Sequence, residues 1–207
     1  DRFYRFIEKI AEVETKLEDP RGYEHYSMQK LLMRSFTRKT LKECKVSRIK
    51  ESVLLILDNS GSMDWWSENV SAIAAVAMRR RDVMIYIAPN GEVQERLTSR
   101  GRERVKVNHS QFMQKTRQKV VVYVGDFDGA NTPILLARQN RVYWFCPETR
   151  YKRFRSHGWV SYSEDEYRGM FFRVFDLDDF QNALRLASGP YKRFFHEPAK
   201  EVKFQDD

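Results

Sequence analysis

The chain has 207 residues, 42% of them hydrophobic and 14% aromatic, which is enough for one sizeable core with room for an appended segment. No run of about eighteen apolar residues occurs, which excludes a membrane-spanning helix, and two distant cysteines, Cys44 and Cys146, exclude a disulfide framework and point to a reducing, cytoplasmic setting. Lys plus Arg number 37 against 29 Asp plus Glu, a net charge of +8 that permits an acidic protein, nucleic acid or anionic lipid as partner and selects none of them.

The opening Asp1-Arg2-Phe3-Tyr4-Arg5 has no apolar signal-peptide region. Residues 1–50 are predicted to be an α-helical N-terminal extension. Phe6, Ile7, Ile10 and Val13 recur at helical spacing, Asp19-Pro20-Arg21-Gly22 interrupts, and Met28 to Cys44 resumes with basic residues interleaved.

At Ser52 the texture changes. Val53 to Leu57 is a continuous apolar run stopped by Asp58-Asn59-Ser60-Gly61, as in a central strand buried on both faces. Val70 to Met78 reads as a small-residue helix, Val83 to Ala88 as a strand, Pro89-Asn90-Gly91 as a turn and Glu92 to Leu97 as a hairpin return. Ser99 to Val107 reads as a basic loop and Ser110 to Gln118 as a short helix with a serine N-cap.

Val120 to Val124 is the second strong strand and runs into Gly125-Asp126-Phe127-Asp128-Gly129. A helix with Pro133 in its first turn follows, then a strand over Arg141 to Phe145 and an irregular aromatic and basic stretch to Gly169. Met170 to Phe175 is the last strand, Leu177 to Leu186 the last helix, and 188–207 a polar, poorly packed tail. Alternation of this kind predicts an α/β, Rossmann-like main domain over 51–187, with a mostly parallel sheet covered on both faces.

In such sheets ligands bind beyond the carboxyl ends of the strands where strand order reverses, so the loops after the two strongest strands are the candidate site. Asp58, Ser60 and Ser62 alternate on one tight turn and present small hard oxygens suited to a divalent cation; Asp126 approaches the same cation if the two strands are neighbours. Trp65 and Trp66 follow the loop and read equally as exposed anchors or as core. His25, His109, His157 and His196 lack metal-ligand spacing and receive no role.

The segment Val53-Leu54-Leu55-Ile56-Leu57-Asp58-Asn59-Ser60-Gly61-Ser62-Met63 resembles the first strand and metal-ion-dependent adhesion loop of the von Willebrand factor A family. Asp126 to Asp128, followed by Tyr143-Trp144-Phe145-Cys146-Pro147, is similar to the CoxE-like branch of that family, and the likeness covers roughly residues 50–187. The resemblance implies Mg²⁺ (or Mn²⁺) held by Asp58, Ser60, Ser62 and Asp126, no catalysis, and docking of a partner carboxylate on the ion. In this branch the implied partner is a MoxR-type AAA+ ATPase, with the chain acting as adaptor toward a client. The family's usual threonine loop is missing; Thr98 is the nearest candidate to stand in for it, and Asp128 is the residue that could compensate.

Two rival classes follow from the same residues. Asp126 and Asp128 resemble the first motif of haloacid dehalogenase type phosphatases, with Asp178-Asp179 as the later acidic pair, and the cluster of carboxylates with basic charge also suits a metal-dependent nuclease. Nucleic-acid binding without catalysis would use Arg100 to Lys106 and Tyr151 to Arg155, where aromatics lie among cations. A serine hydrolase is excluded because Gly-x-Ser-x-Gly is absent around Ser60.

Overall fold

The computed structural model describes residues 2–15, 23–50, 52–98, 103–147 and 166–196. Helix α1 (Arg2–Ala11) forms because Phe3, Phe6, Ile7 and Ile10 recur at helical spacing and bury a single stripe. Phe6 and Ile7 are fully buried, and Phe6 meets Tyr143 and Phe145 edge-on at 5.4 and 5.6 Å, so α1 is part of the main core.

Beyond Ala11 the expectation of a helical extension is corrected. Strands β1 (Glu12–Thr15), β2 (Tyr23–Tyr26) and β3 (Lys45–Lys50) form an antiparallel sheet in the order β1-β3-β2. Strand-forming residue types in these short runs, such as Val13, Thr15, Tyr23, Tyr26, Val46 and Ile49, prevail over a periodicity too short to commit a helix. Between β2 and β3 the helical pattern survives as α2 (Met28–Leu32), capped by Ser27, and α3 (Arg34–Thr37). The break at Asp19 to Gly22 lies outside the described residues.

The main unit continues as β4 (Val53–Leu57), α4 (Ser67–Ala77), β5 (Val83–Ile87), β6 (Glu95–Leu97), β7 (Arg104–Lys106), α5 (His109–Lys115) and β8 (Val120–Val124). It closes with α6 (Asn131–Leu136), β9 (Arg141–Pro147), β10 (Met170–Val174), α7 (Leu177–Ala187) and β11 (Phe194–His196). These strands make one eight-stranded sheet in the order β11-β10-β9-β8-β4-β5-β6-β7. All neighbours pair in parallel except β5 with β6 and β6 with β7.

Strand alternation divides the core into two layers. Val53, Leu55 and Leu57 point to the layer containing α1, α4 and α7, while Leu54 and Ile56 point to the layer containing Phe112 of α5 and Ile134 and Leu136 of α6. The chain winds outward from β4 through β5 and then returns to build β8, β9 and β10 on β4's other side. The order therefore reverses between β4 and β8, the switch point of a doubly wound α/β fold.

Three local readings are corrected. Ser99 to Val107 is not wholly loop, since Arg104–Lys106 pairs as β7 with Glu95–Leu97 and Arg104 reaches Glu95 at 3.2 Å. Helix α5 is capped by Asn108, whose Oδ1 accepts from the Gln111 N–H at 3.0 Å, rather than by Ser110. The tail is packed as far as His196: β11 pairs with the outer edge of β10, and the Tyr191 hydroxyl accepts from the Val142 N–H at 3.0 Å. The stretch 148–165, with Arg150, Tyr151 to Arg155 and His157, lies outside the described residues. Among the described residues no helix is long and apolar enough to cross a membrane.

Candidate site at the switch point between the central strands

Asp58 leaves the end of β4, and its backbone N–H continues the sheet by donating to the Val124 carbonyl of β8 at 2.8 Å. Its side chain is buried without any exposed surface. Oδ1 accepts from the Ser60 N–H at 2.8 Å and from the Asn90 N–H at 3.2 Å, whereas Oδ2 is equally buried and has no hydrogen-bond donor. Burial pushes the Asp58 carboxyl above its ordinary range, and the nearby Asp126 charge adds to that; the Ser60 and Asn90 hydrogen bonds work the other way.

Ser60 occupies the cap position of the 3-10 turn Gly61–Trp66, yet its hydroxyl caps nothing. It lies 3.0 Å from the Ser62 hydroxyl instead, so the two oxygens that alternate in sequence converge in space. Ser60 is buried and Ser62 exposed, which places the pair between interior and solvent. An ordinary capping serine would spend its hydroxyl on the helix.

Asp126 follows β8 directly and is buried. Its Oδ1 accepts from the Asp128 N–H at 3.0 Å, an Asx turn that directs the Asp128 side chain to solvent. Phe127 anchors this turn in the core, 5.3 Å from Trp144, with the Arg173 guanidinium 5.3 Å over its ring. The charge of Asp126 acts on both Asp58 and the buried Tyr123, whose hydroxyl is held far above its ordinary range mainly by burial.

Residues that sequence reasoning passed over hold the three loops together. A Cβ on Gly125 would lie 2.7 Å from the Asp58 Cβ, so only glycine lets β8's exit run this close to the Asp58 side chain. Asn90, in the left-handed region at φ 49°, aims its N–H at Asp58. Thr132, buried at the start of α6, donates from its hydroxyl to the Gly91 carbonyl at 2.6 Å and so fixes that loop from below. The only sequence signal for these was the pair of glycine-containing turns after apolar runs.

Replacing Thr132 with valine keeps the shape and removes the donor. The expected result is a loss of about 1–3 kcal/mol, from a buried carbonyl left unsatisfied, in urea denaturation. A loss below a few tenths would mean that the Gly91 carbonyl finds another donor.

Thr98 is ruled out as a member of the site by register. Leu97 is level with Ile85, and Ile85 with Leu55, so Thr98 falls level with Leu54, about 13 Å from Asp58 along the strand direction. The two tryptophans divide: Trp66 is core, edge-on to Phe180 at 5.5 Å, and Trp65 is 43% exposed beside the loop. Asp178 and Asp179 lie in the first turn of α7, where Asp179 Oδ2 accepts from the Phe175 N–H at 3.3 Å, two strands away from β8. His109 accepts the Val93 N–H on Nδ1 at 3.0 Å, a structural role.

No family model and no curated protein matches the chain. Among solved structures the chain is similar to a von Willebrand factor type A protein from Catenulispora acidiphila, at 11% identity and a TM-score of 0.36. The match covers 69% of this chain and 43% of that one, so the chain spans less than half the length of that protein.

Proposed function

We propose that this is a von Willebrand A type, metal-dependent protein-binding module whose cation site is formed by Asp58, Ser60, Ser62 and Asp126. The observation that carries the reading is the Asp58 Oδ2 atom, buried and without a donor, beside two serine hydroxyls that converge at 3.0 Å and a second carboxylate across the switch point. An orphaned carboxylate oxygen in the interior is costly unless a cation meets it.

The donor set is all oxygen, two carboxylates and two hydroxyls, which fits Mg²⁺ or Mn²⁺ and disfavours zinc or copper. Such an ion supplies, when bound, a position open to a carboxylate from a partner. The chain's own residues do the rest: the Ser60 and Asn90 N–H groups fix the Asp58 carboxylate, the Asp128 N–H fixes Asp126, and exposed Trp65 offers an apolar contact next to the loop. The partner this reading implies is a MoxR-type AAA+ ATPase in the cytoplasm, with this protein as the adaptor toward a client. That step is supported by the likeness of Asp126 to Asp128, followed by Tyr143 to Pro147, to the CoxE-like branch.

Calorimetric titration of Mg²⁺ and Mn²⁺ tests the site. Wild type is expected to give a saturable heat that Asp58→Ala and Ser60→Ala abolish, with no phosphatase or nuclease turnover under the same conditions. Absence of binding by wild type would defeat the metal reading, and metal-dependent turnover would transfer Asp126 and Asp128 to an enzyme.

A further inference from the structure

Six of the large hydrophobic side chains on the described surface lie in one excursion between β2 and β3. Leu32, Met28 and Phe36 are 70, 69 and 82% exposed, and Tyr26, Met33 and Leu41 are each about half exposed. Neither α2 nor α3 buries a single residue. The excursion is nonetheless ordered at its base, where the Ser27 N–H donates to the Cys44 carbonyl at 2.9 Å and the buried Cys44 thiol reaches the Lys30 carbonyl. An apolar surface of this density on a fixed backbone marks an interaction site.

Its charge says what kind. Lys30, Arg34, Arg38, Lys39 and Lys42 alternate with the apolar residues, Lys45 is paired with Glu24 at 3.1 Å, and the segment's one carboxylate, the exposed Glu43, accepts from the Thr40 N–H and hydroxyl, both at 2.7 Å. The occupant is therefore anionic and also apolar. Met28, Leu32 and Phe36 recur at intervals of four through two short helices joined at Met33, whose own backbone is helical, so the element is a projection with one exposed apolar row. A fluid interface can close around such a projection while long Lys and Arg stems reach its headgroups. Apolar tips in one row with Lys and Arg interleaved are the pattern of an amphipathic helix lying in an anionic lipid interface.

We propose that the Tyr26–Lys45 excursion docks the protein on an anionic lipid surface, inserting Met28, Leu32 and Phe36 among the headgroups with the interleaved cations on lipid phosphates and carboxylates. This is peripheral attachment at a site separate in sequence from Asp58 and its loops.

Sedimentation with phosphatidylcholine vesicles containing about one third phosphatidylserine provides the test. Wild type is expected to pellet with these vesicles at low salt, to be released at high salt, and to ignore pure phosphatidylcholine. Leu32→Ser combined with Phe36→Ser, and separately Arg38→Glu combined with Lys39→Glu, should each weaken binding by about tenfold or more with unchanged thermal melts. The proposal is overturned by a failure to pellet, by full binding of the double serine variant, or by soluble polyglutamate competing as well as lipid. It is equally overturned if the wild type is a dimer that the serine variant dissociates.

Discussion

Gly125→Ala is expected to cost about 1–3 kcal/mol in urea denaturation and to weaken Mg²⁺ binding by tenfold or more. The added methyl would sit 2.7 Å from the Asp58 Cβ and 2.8 Å from the Tyr123 ring, both fully buried and neither at the flexible end of a side chain. Relief requires β8's exit to move away from β4, and that movement stretches the Asp58 N–H bond to Val124 and the Trp144 indole bond to the Gly125 carbonyl at 2.8 Å. The substitution replaces no proposed metal ligand and acts on Asp58 only by pushing it, so paired urea and calorimetric measurements separate geometry from chemistry. Unchanged metal affinity in a destabilised protein would mean that the site does not depend on the close approach of the two loops.

Asp58→Asn is expected to have opposite effects on stability and binding. Without metal the variant should be more stable than wild type by on the order of 1 kcal/mol, or about 2–4 °C in Tm for a chain of this size. The amide keeps an acceptor for the Ser60 and Asn90 N–H groups and removes a buried charge facing Asp126. The sign of the pH dependence follows from the raised carboxyl of folded Asp58. In the window from the unfolded value near 3.9 up to the raised folded value, the native state holds the proton more often, so wild-type stability falls as pH rises. The advantage of the asparagine should be full at neutral pH and vanish below about pH 4. Saturating Mg²⁺ should reverse the ranking, since an ion at about 100 times its dissociation constant adds about 2.7 kcal/mol to wild type alone. Equal melting curves in chelator and in Mg²⁺ for both proteins would sink the assignment of Asp58 as a ligand.

How far the sequence reveals this molecule depends on whether the signal is local. Val53 to Leu57 and Val120 to Val124 are apolar without alternation, and the structure buries every one of those residues, because a strand flanked by parallel neighbours and covered by helices has no polar face. The stretch from 12 to 50 misled because its strands are short and join residues far apart in the chain, as Glu12 with Lys50 and Tyr26 with Lys45. Periodicity over a few residues cannot record such pairings. Asp58, Ser60 and Ser62 are legible as a set because their spacing is two residues each; Asn90, Gly125 and Thr132 are not, because they serve Asp58 through backbone contacts made only once three loops converge.

Among the described residues, the two ends of the large sheet are each closed by a strand of only three residues, β7 on one side and β11 on the other. On the first, Arg104 and Lys106 put cations on the rim, a standard deterrent to recruitment of another chain's strand. On the second, the neighbour is Met170-Phe171-Phe172-Arg173-Val174, buried along its whole length and rich in aromatic side chains. Phe194-Phe195-His196 thus acts as a selvedge: it occupies hydrogen-bonding groups of β10 that would otherwise template aggregation. Those three residues guard colloidal behaviour although they lie remote from any binding chemistry, and any shortened version of the protein inherits that requirement.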